Sequence, residues 1–407
     1  MTDVVSMPAD TGETREVWVE GETMRVNLGP QHPSTHGVLR LRVEVEGETI
    51  LNVEPIMGYL HTGIEKQAET LNWIQAVTDV TRADYLSNAH NEIAYCLAVE
   101  KLAGVEAPER AQWIRIIMSE LQRITSHLVW LATGGLELGA MSMATYAFRE
   151  REMILDFYQA LTGTRMNFAY VRPGGVALDF RPEHAETLRR LVPHLRQRFA
   201  EYEEFLSKNP IWVRRNQGIG VLDTEKAIAF GVTGPNLRAT GLAQDLRKTE
   251  GYHLPYHHFD FDVPTGVNGD CYDRYLVRMA ELHESVKIVD QAVEGLPSGP
   301  FRAEGKLMPP PRNRLPVSME AVIHHFKLFT DGPHVPPGEV YIGVEGPRGE
   351  LGYFVASDGR GRPWRVHIRA PSFANLRILP EISKGHLLAD IIAILASIDP
   401  VMGDVDR

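Results

Sequence analysis

Residues 29–66, GPQHPSTHGVLRLRVEVEGETILNVEPIMGYLHTGIEK, change periodicity twice, and those changes set the fold class. The first nine residues hold two prolines, two glycines and two histidines. Pro30 and Pro33 fix their own φ and push the residues before them toward extended geometry. Gly29 and Gly37 admit dihedrals that other residues avoid. The run predicts a stiff loop that holds His36 beside Ser34 and Thr35, with His32 in a structural part. Residues 38–56 then alternate apolar with polar around a turn at Glu46-Gly47-Glu48, the pattern of a β-hairpin with one buried face. Beyond Gly63 the spacing becomes helical.

Helical periodicity covers residues 64–79, 84–103, 109–132, 145–161 and 183–207. Pro108 suits the opening of the third helix, and Gly104 and Gly134 would sit just past helix ends. The abundance of Ala, Leu, Ile and Met predicts a packed bundle. Residues 208–272, rich in Gly, Pro and His, are expected to wrap a surface before another helix at 273–294. A proline-rich connector follows at 308–316, then a helix at 318–330. The runs EVYIGVEG, LGYFVASDG and PWRVHIRAP predict a small antiparallel sheet over 338–370, and a last apolar helix lies in LLADIIAILASI at 387–398. The fold class is α+β, a helical bundle core flanked by small antiparallel β-sheets. The expected division is a flexible acidic tail at 1–24, a hairpin and loop region at 25–63 and the bundle at 64–207. A wrapping segment plus helix follows at 208–317, then a helix, small sheet and last helix at 318–407.

The chain has 407 residues, 43% hydrophobic and 23% charged, ordinary values for a folded protein. Its formal net charge of −11 argues against nucleic acid as a main partner, since phosphate binding needs a basic surface. Two cysteines, Cys96 and Cys271, make no disulfide framework, cannot ligate an iron–sulfur cluster alone and read as inert core thiols. Residues 1–24 lack the apolar core of a secretory signal, and residues 387–398 are too short to span a membrane and carry Asp390. The expected setting is cytosolic or peripheral to a membrane. His127 reads as a satisfied interhelical residue and His324-His325 as a contact surface. The spacing of His253, His257 and His258 fits no zinc pattern. Met141 and Met143 read as packing residues rather than ligands.

Nine stretches together resemble one family. They are GPQHPSTHG, EPIMGYLHTGIEK at 54–66, TRADYLSNAHNEIAYCLAVEKL at 81–102, YAFRERE at 146–152, YVRPGGV at 170–176, FDVPTG at 261–266, GELGY at 349–353, RAPSF at 369–373 and DPVMGDVDR at 399–407. In this order, from about residue 24 onward, the chain resembles the quinone-site subunit of complex I, the proton-pumping NADH:quinone oxidoreductase. That family is related to nickel–iron hydrogenase large subunits, so the resemblance implies a hydrogenase large-subunit-like fold without the metal site. A nickel–iron centre needs thiolate ligands. The matching positions, Arg82-Ala83-Asp84-Tyr85 and Asp399-Pro400-Val401-Met402, contain no cysteine, which excludes a hydrogenase reading.

Quinone reduction takes up two electrons and two protons at the carbonyl oxygens, so the cleft must offer proton donors. A tyrosine keeps its phenolic proton at neutral pH, and a histidine can carry one. The resemblance places the two head-group residues on His36 and Tyr85. It places Glu137, where the family usually has Asp, as the acid that orients the histidine. Arg82 would lie near the last [4Fe-4S] cluster, which a neighbouring iron–sulfur subunit ligates. Asn167 stands where the family has a second cluster-proximal histidine, and SMAT at 142–145 replaces a Thr-Pro-Phe-Phe run. The implied chain holds no redox cofactor or metal of its own, takes ubiquinone or menaquinone as substrate, and leaves NADH and flavin to other subunits. Its implied partners are the iron–sulfur subunit, other peripheral-arm subunits and the membrane-arm subunits, at the cytoplasmic face of the cell membrane. Two alternatives stand beside this: the same role in a ferredoxin-dependent complex, and a non-catalytic scaffold.

Overall fold

The computed structural model describes residues 4–8, 14–20, 23–305 and 307–407. A five-stranded antiparallel sheet comes first: β1 (Val4–Pro8), β2 (Thr14–Glu20), β3 (Thr23–Leu28), β4 (Arg40–Glu46) and β5 (Thr49–Ile56), in that order. The expected hairpin is β4–β5, with Val43 opposite Val53. The acidic segment 1–24 is not simply a tail, because Val4–Pro8 and Thr14–Glu20 extend the sheet. Its residues 1–3, 9–13 and 21–22 lie outside the described residues.

The helices α1 (Ile64–Thr70), α2 (Ala76–Val80), α3 (Asn88–Ala103), α4 (Glu109–Glu137) and α5 (Met141–Thr162) follow. The helix expected at 64–79 is broken, because the Asn72 side chain accepts from the N–H groups of Ile74 and Gln75 and turns the chain. Asp84 similarly accepts from the Leu86 N–H, so α3 starts four residues later than its periodicity suggests. Gly134 lies inside α4 rather than past its end. Its neighbour Gly135 explains the longer helix: a Cβ there would sit 2.9 Å from Met143 Cβ, so glycine lets α4 and α5 pack closely. A two-residue pair, β6 (Val171–Arg172) and β7 (Gly175–Val176), leads to α6 (Pro182–Leu206).

The segment expected to wrap a surface contains α7 (Pro210–Asn216), α8 (Thr224–Ala229) and α9 (Pro235–Arg238), and it reaches the interior. Arg238, Arg247 and Tyr256 are buried there. Arg238 pairs with Glu281 at 2.7 Å and Glu345 at 2.8 Å, and Arg247 pairs with Asp245 at 2.6 Å and Glu120 at 3.1 Å. Charge pairing is what lets so polar a stretch enter the core. His127 on α4 meets Glu281 at 2.8 Å across the helices.

The chain continues through α10 (Cys271–Glu294), α11 (Met319–Thr330) and a three-stranded antiparallel sheet, β8 (Gly338–Gly346), β9 (Gly349–Ser357) and β10 (Arg365–Arg369), which packs on α3. Four helices close it: α12 (Pro371–Leu376), α13 (Leu379–Ser383), α14 (Asp390–Ile398) and α15 (Met402–Asp406). Two apolar cores result. The larger joins α3 to α6 and α10 with β8–β10. In the smaller, Leu41, Val43, Ile50 and Val53 meet Ile391, Ile394, Ile398 and Met402, so the first sheet is closed by the last helices. Among the described residues no helix is long and apolar enough to cross a membrane.

Candidate functional site

The loop 29–37 is fixed by its own hydrogen bonds. Pro33–Thr35 form one turn of 3-10 helix, and His32 Nδ1 accepts from the Ser34 N–H at 3.2 Å. The Thr35 hydroxyl donates to the carbonyls of His32 at 3.0 Å and Pro30 at 3.2 Å. Gly29, at φ 78°, has no room for a side chain, since a Cβ would lie 2.3 Å from the Leu39 carbonyl oxygen. His36 ends the turn in the left-handed region at φ 53°. The loop packs on α14.

Tyr85 lies in the turn between α2 and α3, against α15. A Cβ on Gly403 would come within 2.6 Å of the Ala83 carbonyl oxygen and 3.1 Å of the Tyr85 ring, so glycine is what allows α15 to seat on this turn. The structure therefore brings together the Arg82–Tyr85 and Asp399–Met402 segments, which are far apart in sequence.

Between them lies a buried charge cluster. Arg348, in the β8–β9 turn, donates to Asp84 at 3.0 Å and to the Asp399 carbonyl at 3.1 Å, with the Asp399 carboxylate at 3.4 Å. Asp404 accepts from the Ser372 N–H at 2.9 Å. Four buried polar atoms here have no hydrogen-bond partner: His36 Nε2, Arg348 Nη2, Asp399 Oδ2 and Asp404 Oδ1. Unsatisfied buried groups are rare in native folds, so four in one cluster call for a ligand or solvent.

Burial lowers the His36 pKa, opposed by the Asp399 charge and assisted by Arg348, so the resting imidazole is neutral. Burial, opposed by Arg348 and helped by the Asp84 and Asp399 charges, raises the Tyr85 pKa and keeps the phenol protonated. Burial also raises Asp84 and lifts Asp404 to about 6, with the Asp84 charge adding to the second shift. At Arg348, burial disfavours the cation, but Asp399 and Asp84 outweigh it and raise its pKa. The site can thus hold a proton on Tyr85 at neutral pH, let Asp404 take one up as the pH falls toward 6, and set a fixed cation beside them.

Glu137 is placed differently from the expectation. It ends α4, has no hydrogen-bond partner among the described residues, and is pushed up to about 8 by burial. The structure gives it no hydrogen bond to His36; the carboxylate whose charge acts on His36 is Asp399. Arg82 is exposed and donates to the Thr78 carbonyl, facing outward from the cluster. Asn167 is also exposed, in the left-handed region at φ 49° that Asn tolerates well. SMAT lies within the first turns of α5, where Met143 is buried and Met141 is exposed. Sequence reading did not single out Arg348, Asp84, Asp399 and Asp404, which the fold gathers into this cluster. The available signal was charge embedded in tight turns, as in Gly346-Pro347-Arg348-Gly349 and DPVMGDVDR. Among the described residues no group of three or more His, Cys, Asp or Glu side chains is arranged to hold a metal ion.

A family model described as the respiratory-chain NADH dehydrogenase 49 Kd subunit matches residues 137–407. The chain is 52% identical to the D-type subunit of NADH-quinone oxidoreductase from Acidothermus cellulolyticus, with 100% of this chain and 94% of that protein aligned. It is 52% identical to a D-type subunit of the same enzyme from Roseiflexus castenholzii, covering 99% and 98% of the two chains. Identity to a D-type subunit from Chloroflexus aurantiacus is 50%, over 100% of both.

Proposed function

Because the chain belongs to the 49 kDa subunit family of respiratory-chain NADH dehydrogenases, and so is one component of a multisubunit NADH–quinone oxidoreductase, we propose that the His36–Tyr85–Arg348 cluster is where quinone is reduced. One observation carries this reading: His36 Nε2 and Arg348 Nη2, both buried and unpartnered, share the cluster with the Tyr85 phenol. Donors of this kind suit the carbonyl oxygens of a flat, otherwise apolar head group. Electrons arrive from an iron–sulfur cluster held by a partner subunit.

Reduction adds two electrons and two protons to one quinone. Tyr85 holds one of those protons at rest and releases it to a reduced quinone oxygen, with the Arg348 cation stabilising the phenolate left behind. His36, neutral at rest, gains basicity as negative charge builds on the substrate, and it then relays the second proton. Asp399 favours its cationic form. Asp404 stands ready as a nearby proton store because its pKa lies at about 6. Arg82 and Asn167 are both exposed, and exposed Met166 beside Asn167 adds apolar surface that suits the iron–sulfur partner. Asn cannot titrate, so position 167 adds no pH dependence to the partner's cluster. This chain then works at the membrane surface with the other arms of the complex.

The test is quinone reduction by the assembled complex carrying Tyr85→Phe or His36→Ala. Losing a hydrogen bond to a charged group costs roughly 1.5–3 kcal/mol, so each variant should slow the reaction about 10- to 150-fold. NADH oxidation with ferricyanide, an upstream acceptor, should be unchanged. Unchanged quinone reduction in both variants would refute the assignment.

A further inference from the structure

The YVRPGGV motif takes no part in the quinone site, yet it builds a second cavity. Gly174 and Gly175 let residues 301–305 and 307–308, the strap, lie directly on the turn: a Cβ on Gly175 would be 2.3 Å from the Phe301 carbonyl oxygen, and one on Gly174 would be 2.4 Å from the Met308 methyl. The Val176 N–H donates to the Phe301 carbonyl at 3.2 Å, and the Ala303 N–H donates to the Gly174 carbonyl at 2.7 Å. The strap and the proline-rich connector then enclose about 310 Å³ between the turn and α11. This cavity shares no residue with the His36 cluster.

Its walls are apolar, from Ile74, Pro173, Leu307, Met308, Pro310 and Phe329, but three arginines also line it: Arg172, Arg302 and Arg312. No aspartate or glutamate is among its described lining residues. Arg302 is aimed by donating to the Val176 carbonyl at 2.9 Å and to the Ala177 carbonyl. Neither Arg172 nor Arg312 has a side-chain ion pair or hydrogen bond among the described residues. Two buried acids border this turn: Glu92 accepts from the N–H groups of Val171 at 2.7 Å and Tyr170 at 2.9 Å and from Asn88 at 3.0 Å, and Glu100 accepts from the Gly174 N–H at 2.6 Å and pairs with Arg115 at 2.5 Å. Burial, together with the charges of Arg172 and Arg312, lowers the Arg302 pKa, as expected where cations crowd without a counter-ion. In a chain of net charge −11, three guanidiniums around one hollow with no carboxylate among its described lining residues mark an anion's place.

We propose that this cavity binds a phosphate monoester with a short apolar body, the guanidiniums taking the phosphate oxygens and the proline–methionine wall taking the body. The volume suits a small molecule rather than a protein segment.

The test titrates the full chain with hexyl phosphate, inorganic phosphate and hexanol, and pellets it with phosphatidylcholine vesicles with or without phosphatidic acid. Saturable binding of hexyl phosphate is expected, about tenfold or more tighter than inorganic phosphate, since the alkyl chain buries apolar surface. Hexanol should not bind. Arg172→Gln and Arg312→Gln, both at partly or fully exposed side chains, should each weaken binding about tenfold or more without changing the circular dichroism. Binding of the soluble ester without pelleting assigns a free phosphate ester, whereas pelleting that requires phosphatidic acid assigns a lipid head group; both support the site. No saturable binding, or binding that ignores both substitutions, overturns it. So does an assembled complex in which phenylglyoxal cannot reach Arg172 and Arg312 without added ligand, because a neighbouring subunit then fills the hollow.

Discussion

Asp399→Asn isolates the charge that tunes His36. Asp399 occupies the left-handed region at φ 56°, which Asn adopts as readily as Asp, so the backbone should keep its path. Arg348 keeps Asp84 at 3.0 Å and the residue 399 carbonyl at 3.1 Å. What is lost is the carboxylate 3.4 Å from the guanidinium. At an effective dielectric of about 20 that pair is worth roughly 5 kcal/mol of gross attraction. Relief of the Asp84–Asp399 repulsion returns part of it. His36 is not hydrogen-bonded to Asp399, so only part of this change reaches the imidazole. Asp399 raises the His36 pKa, so removing it lowers that pKa further and moves the alkaline limb of quinone reduction down. Asp399 also raises the Tyr85 pKa, so the variant phenol gives up its proton more easily. The two pH profiles should therefore cross, with the variant slower above neutrality and not slower at acid pH. The assay is NADH oxidation by the assembled complex with a short-chain quinone, normalised to ferricyanide reduction. A uniform fall at every pH, or an alkaline limb that stays put or moves up, refutes the reasoning.

Asp404→Asn probes stability. The folded chain raises this carboxyl from 3.8 to about 6, so the folded state binds the proton more tightly than the unfolded one. Stability therefore falls as pH rises through that window, by roughly 3 kcal/mol. In urea unfolding of the full chain, Asp404→Asn should gain on the wild type between pH 4 and pH 7; a gap that narrows contradicts the sign. Gly403→Ala drives a methyl against the Ala83 carbonyl oxygen at 2.6 Å and the Tyr85 ring at 3.1 Å. Overpacking of this kind costs roughly 1–3 kcal/mol, and quinone reduction should drop while ferricyanide reduction holds. Thr35→Val removes the hydroxyl bonded to Pro30 and His32, which costs roughly 1–3 kcal/mol and loosens His36. Its KM for quinone should rise more than its ferricyanide rate falls.

Much of the architecture could be read from local patterns because local physics produces it. The β4–β5 hairpin follows from strict alternation, and α6 and α10 from uninterrupted helical spacing. The failures are equally physical. Asn72 breaks one helix through a side-chain hydrogen bond that apolar periodicity does not encode, and Gly134 misled because packing on α5 outweighs glycine's tendency to end helices. For the proposed site, His36 and Tyr85 could be nominated from sequence because each sits in a distinctive motif. Arg348 was not, since its meaning comes from Asp84 and Asp399, which lie 264 and 51 residues away along the chain. A buried arginine far from its acids looks like any surface arginine until the fold joins them. Glu137 shows the converse, a plausible partner by position to which the structure gives no hydrogen bond with His36 and only the effect of burial.

The seating of α15 also has a consequence for synthesis. The Asp406 carboxylate accepts from the Gly58 and Leu60 N–H groups at 2.9 Å and 2.7 Å, partners 348 and 346 residues apart. At roughly 5–20 residues per second, His36 and Tyr85 leave the ribosome some tens of seconds before the helix that completes their site. Until then the sheet's apolar face and the Asp84 carboxylate lack the residues that bury and balance them. The His36 and Tyr85 segments thus wait on residues made more than three hundred positions later, and the cluster is complete only once α15 has docked.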